Sequence, residues 1–153
     1  MLDDPRDDTV LTTIAFAAVD DLMVLCHSED NPSEAEWDRW IATERQGKHR
    51  ALLVATRGGA PNSKQRARVA EVLGANAAPA PPVALLTDSV ALRTLMTAFT
   101  WLLGHQHRMK AFPPDAVGEA VAWTAIAVRP ERVRAVLERL HAALKAPATT
   151  STT

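Results

Sequence analysis

Residues 52–66, LLVATRGGAPNSKQR, have the order of a phosphate-binding loop: an apolar run, Gly58-Gly59, then a polar helix start. Such a loop places a glycine, four residues, then Gly-Lys-Ser/Thr, so that successive backbone N–H groups and the lysine meet phosphate oxygens. Here no second glycine precedes Lys64, the hydroxyl of Ser63 comes before the lysine, and Pro61 removes one N–H. The dinucleotide pattern G-x-G-x-x-G is absent as well. The residues read instead as a strand, a glycine-loosened turn and a helix capped by Asn62, with Gln65 at its N3 position. Ser63 then sits at a helix start beyond the C-terminal end of a strand. Open α/β sheets meet ligands and partners at that edge.

The other candidate groupings are weaker. His105 and His107, two apart, can share a metal on an extended segment; Asp115 or Glu119 would have to fold in as further ligands, and solvated loop histidines are the simpler reading. Ser28, Ser33, Ser63, Ser89 and Ser151 include no G-x-S-x-G nucleophile elbow. Cys26 is the sole cysteine, set in an apolar run, which marks a buried inert thiol. Its neighbour His27 points to the opposite face of a strand. Asp20-Asp21 reads as a turn. No catalytic set, metal site or cofactor site is assembled, so the expectation is a non-enzymatic protein.

Composition bounds the rest. With 153 residues the chain suits one domain with a real core. A formal net charge of −1 argues against a nucleic-acid binder or a polybasic membrane anchor. One cysteine excludes an intrachain disulfide. The acidic start MLDDPRDDTV lacks the order of a signal peptide. No apolar run reaches the ~18–20 residues of a membrane helix. A cytoplasmic protein is expected, and arginine outnumbering lysine hints at a GC-rich bacterial genome.

These residues must be positioned by regular elements. Residues 1–8 read as a flexible acidic leader, 9–145 as one α/β domain, and 146–153 as a disordered tail. Val10 to Ala18 and Leu22 to His27 read as a hairpin across Asp20-Asp21. Ser33 and Glu36 form a capping box for a helix bearing Trp37, Trp40 and Ile41, with Gly47 as its stop. His49 to Thr56 is a continuous apolar run, the mark of a strand covered on both faces. The helix after Asn62 carries Val69, Val72 and Leu73 and is expected to end at Gly74, before the proline-rich connector ANAAPAPP. PVALLT is the next buried strand, and Asp88-Ser89 cap a helix with Leu92, Leu95, Met96, Phe99, Leu102 and Leu103 on one face, ending at Gly104. Trp101 lies roughly 180° from Leu92 around that helix. It either packs under another segment or is an aromatic anchor for a partner or a second copy. HRMKAF suggests a short edge strand. Pro113-Pro114-Asp115 opens a helix lined by Val117, Ala120, Val121, Thr124 and Val128. Pro130 starts another, with Val133, Val136, Leu137, Leu140 and Leu144. The predicted order is β-β-α-β-α-β-α-β-α-α, a mixed, largely parallel sheet of four to five strands with helices packed on it.

This order, with the segments LLVATRGGAPNSKQR, PVALLTDS and MKAFPPDAVGEAVAWTAI, resembles the STAS domain, the fold of bacterial anti-sigma-factor antagonists, in its divergent STAS/SEC14-like branch. The resemblance covers Thr9 to Leu144. It implies a regulatory protein-binding module of bacterial signalling, with a kinase-like or regulator partner. In better-known members a serine at the start of the helix after the central strand is phosphorylated to switch binding; Ser63 matches that position. The motif departs from the family's Asp-Ser-Ser/Thr-Gly-like turn, since Asn62-Ser63-Lys64 is followed by no glycine. The partner-binding surface expected on this basis comprises Arg57, Gly58, Gly59, Asn62, Ser63 and Lys64, with Trp101 on a second face, and Ser63 as candidate phosphosite. A homodimer is a further option. The alternatives are a small-molecule or lipid carrier, as the SEC14-type relatives imply, and an enzyme of unrecognised type with His105 or His107 as base.

Overall fold

The computed structural model describes residues 7–46, 48–76, 81–103 and 108–145, for 73–76 and 99–103 the backbone alone. His105, His107, Gly47, Gly104, most of the leader, the tail and the side chain of Trp101 lie outside the described residues.

The hairpin forms as expected. Strands β2 (Ile14–Val19) and β3 (Leu22–His27) pair antiparallel across Asp20-Asp21. Asp20 takes a left-handed φ of 53°, which aspartate tolerates better than most residues. Its carboxylate accepts a hydrogen bond from Arg132 at 2.8 Å. The expected first strand, however, is two. A short β1 (Thr9–Val10) folds back antiparallel on β2, placing Thr9 opposite Phe16. The break comes at Thr13, whose backbone N–H and hydroxyl both donate to the Glu36 carboxylate, at 2.6 and 2.9 Å. A donor committed to a side chain cannot serve a continuous ladder.

Three parallel strands complete the sheet: β4 (Ala51–Thr56), β5 (Val83–Leu86) and the edge strand β6 (Met109–Phe112). The six strands lie in chain order, one more than the upper expectation of five. The crossovers carry α1 (Glu34–Glu44), α2 (Ser63–Asn76) and α3 (Val90–Leu103). Two helices follow the last strand, α4 (Val117–Thr124) and α5 (Pro130–Lys145). The chain is thus a mixed α/β domain, as the alternation of patterns predicts.

Strand alternation sorts the core into two layers. On one face Ala15, Ala17, Ala51, Ala55 and Ala84 let α4 and α5 approach closely with Val117, Val121, Val133, Val136 and Leu140. On the other, Trp37, Trp40 and Ile41 of α1 and Val69 and Val72 of α2 cover Phe16, Leu25, Leu52 and Val83. Phe16 meets Trp40 edge-on, ring centroids 5.1 Å apart. Both faces are covered, which explains the unbroken apolar runs. α3 sits less tightly. Leu92, Leu95 and Met96 are only half-buried, and so are Val54, Leu85 and Met109 on the sheet face that lines the same space.

Boundaries shift where a local rule met competition. α2 continues through Gly74 to Asn76, because glycine weakens a helix without ending it when the backbone stays right-handed. α4 starts at Val117, not at the prolines, since Ala116 N–H donates to Pro113 O at 3.0 Å and closes a turn first. It stops at Thr124, with Ala125 left-handed at φ 61°, so Val128 packs on the core from beyond the helix. β4 begins at Ala51, because His49 is drawn to Glu44: its Nε2 lies 3.1 Å from Oε1, both side chains buried. Glu44→Ala should therefore lower stability by about 3 kcal/mol in urea unfolding, the cost of breaking a buried pair. Removal of exposed Glu131, 4.0 Å from Arg134 on the surface of α5, should cost about 1 kcal/mol or less.

Candidate functional site

The chain leaves β4 at the C-terminal end of the parallel strands and turns at once. The Thr56 hydroxyl donates to Gly59 O at 2.6 Å and accepts from Gly58 N–H at 3.0 Å. Gly58 has φ 134°, a conformation side chains rarely adopt. Gly59 N–H donates to Ser28 O at 2.9 Å, and Ala60 N–H to Asn31 Oδ1 at 3.0 Å. A Cβ on Gly59 would overlap the Asp30 carbonyl oxygen and lie 2.8 Å from that of Ser28. The glycines therefore do not loosen the turn. They let it lock against the loop that follows β3.

The helix start is equally fixed. Gln65 N–H donates to Asn62 Oδ1 and Asn62 N–H to Gln65 Oε1, both at 2.8 Å, the reciprocal cap that the sequence predicts. Gln65 is 1 % exposed. Its Nε2 donates to Pro32 O and to Glu34 Oε1, each at 3.1 Å. Trp37 Nε1 donates to Gln65 O at 2.9 Å. The starts of α1 and α2 are thereby stitched together.

Of the expected partner surface, Arg57, Gly58, Asn62, Ser63 and Lys64 come together on this edge and are exposed. Gly59 is buried and shapes the edge from within. Trp101 belongs to α3, with its side chain outside the described residues. The N–H groups of Gly58, Gly59 and Ala60 all have partners inside the protein, so none is free to cradle a phosphate.

Beneath the edge lies a feature the residue pattern did not reveal. A half-open apolar pocket of about 120 Å³ lies between α3 and the sheet. Its walls are Trp37 and Trp40 of α1, Arg66 and Val69 of α2, Leu92, Leu95 and Met96 of α3, strand residues including Leu25, Val54 and Leu85, and the inner side of Gly59–Pro61. His27 is among the lining residues, its ring 6.1 Å from that of Trp37 between centroids. Burial lowers the His27 pKa to about 4, against a smaller opposing pull from Glu36. Its Nδ1 is buried without a hydrogen-bond partner. The legible signal was a polar residue ending an inward-facing row, Met23, Leu25, His27.

The other face of the same sheet edge bears a wider cleft of about 820 Å³ with charged walls: Arg57, Asp88, Asp115, Arg134, Glu138 and Lys145. His141 stands in it, its pKa lowered to about 4 by burial and then by Arg57 and Lys145. Nothing in the helical stripe of α5 singled it out. Cys26 lies on this side of the sheet, away from His27, and burial raises its thiol pKa to about 12. Among the described residues no three His, Cys, Asp or Glu side chains gather as a metal set, and no helix is long and apolar enough to cross a membrane. No protein-family model matches the chain, and no curated protein or solved structure is significantly similar to it.

Two outcomes follow from this geometry. Gly59→Ala should destabilise the protein by about 2–3 kcal/mol in urea unfolding, since only backbone stands in the way of the new methyl group. Histidine NMR titration should find His27 and His141 neutral down to about pH 4. The unfolded chain binds these protons from about pH 6.5. Stability should therefore fall as pH drops from 6.5 to 4, and return on raising it.

Proposed function

We propose that the chain is a non-enzymatic, STAS-like binding module of bacterial regulation that engages a protein partner over Arg57, Gly58, Asn62, Ser63 and Lys64. The observation that carries this reading is the locked turn. Its backbone donors are satisfied internally, while its polar side chains face outward at the C-terminal sheet edge. A surface held in one conformation loses little entropy on docking. Ser63 suits the role of phosphosite: it is the exposed first residue of a 14-residue helix. A phosphate there adds about −1.5 to −2 charges, which the helix N-terminus stabilises and a docked partner would have to accommodate.

The test is affinity capture with wild-type protein, followed by binding measurements on the recovered partner. Arg57→Glu combined with Lys64→Glu should weaken that complex at least tenfold. Ser63→Asp should weaken it comparably if phosphate is the switch. Unchanged affinity in the double variant would remove this edge as the docking surface.

A further inference from the structure

The pocket under α3 is apolar within and charged at one point of its rim. Leu92, Leu95 and Met96 of α3 and Val54 and Leu85 of the sheet contribute to its walls, and each is only half-buried. The Thr56 hydroxyl adds no free group, being committed to Gly59 O and Gly58 N–H. Water in such a space finds few polar partners, and an apolar group displaces it at a gain. The volume, about 120 Å³, sets the scale. An apolar cavity of about 150 Å³ takes up benzene, so this one holds a chain or ring of roughly six carbons.

Charge selects the other end of the occupant. Among the described residues that line the pocket, Arg66 is the one with a formal charge, and no aspartate or glutamate joins it. Its Nη1 donates to Pro61 O at 2.8 Å. Both residues line the pocket and both are half-buried, which puts the guanidinium at the rim. A guanidinium carries five N–H donors, so that one bond holds it in place without exhausting it. Neighbouring Arg68 is different, with Glu34 at 3.7 Å and Asp38 at 2.6 Å. Arg66 has no such carboxylate among the described residues. Glu34 is engaged by Arg68 and by Gln65 Nε2. The first turn of α2 contains no acidic residue, so the positive end of that helix adds to the same sign of field.

We infer that this pocket binds a small amphipathic monocarboxylate, whose apolar body lies between α3 and the sheet and whose carboxylate pairs with Arg66 at the rim. Charge-assisted hydrogen bonds from a guanidinium match a carboxylate in geometry and sign. A cationic head would meet like charge, and a neutral head would forgo the pair. The carboxylate keeps water on its outer side, so the pairing costs little desolvation. The inference is independent of the protein-partner reading, which concerns the outer side of the same turn. It places a small-molecule site at the C-terminal ends of the parallel strands, directly inside Gly59–Pro61.

The test uses the full chain at neutral pH and four probes: hexanoate, hexanol, hexylammonium and acetate. Nitrogen-correlated NMR follows the Arg66 Nε–H signal and the backbone amides of Gly59, Ala60 and Leu95. Hexanoate should shift them saturably and bind at least fivefold more tightly than hexanol or hexylammonium. Acetate, which lacks the apolar body, should give no saturable shift at the same concentrations. Arg66→Gln should bring hexanoate down to the affinity of hexanol. Leu85→Phe, which fills the pocket from the sheet, should abolish binding of both. Absence of a saturable shift with hexanoate, equal affinity for hexanol or hexylammonium in the wild type, or matching shifts with acetate would overturn the assignment. So would hexanoate binding that persists in Leu85→Phe, or a preference for hexanoate that survives Arg66→Gln. The wild-type comparison of the four probes decides the matter even if a variant does not fold.

Discussion

At Gly59 the chain runs so close to the carbonyls of Ser28 and Asp30 that no side chain fits between them. That contact fixes the loop after β4 upon the loop after β3, and much else is arranged around it. It sets where Asn62 begins α2, and so where Gln65 reaches Pro32 and Glu34. It places Trp37 under α2, with its indole N–H on Gln65 O. It also fixes the inner wall of the cavity and the outer edge that carries Arg57 and Ser63. A single missing Cβ thus couples two loops, two helix starts and two surfaces.

Much of the scaffold was legible because its rules are local. The Ser33–Glu36 and Asn62–Gln65 caps depend on residues three apart, and both form. β3 matches its predicted span because an apolar run between Asp21 and Ser28 admits little else. The α/β class follows from repetition of such runs. What was not legible depended on distant residues. The split of the first strand is imposed by Glu36, 23 positions beyond Thr13. The late start of β4 reflects the buried contact of His49 with Glu44. The role of Gly59 required knowing that residues 28–30 lie against it.

The candidate site divides in the same way. The exposed edge was readable, because a capped helix after a buried strand must place Ser63 at the surface. The cavity was not, because nothing in the spacing of Leu92, Leu95 and Met96 tells how closely a helix seats. The apolar stripe of α3 matches that of a fully packed helix. Its looser seating appears only in the half-burial of those residues and of Val54, Leu85 and Met109 on the sheet face lining the same cavity. His27 was legible as lying on the strand face opposite Cys26, but not as buried without a hydrogen-bond partner.

The two sides of the sheet edge differ in a way that bears on binding. On the α4–α5 face, alanines on the strands let helices seat closely, and the adjoining cleft is open and lined by charges of both signs. On the α1–α3 face, Trp37 of α1 holds α2 in place through Gln65, while α3 rests chiefly at the edge strand. An edge strand gives a helix less surface to cover than a central one, so α3 bridges sheet residues it does not fully fill. Space left in this way costs the dispersion contacts that a closely seated helix would make.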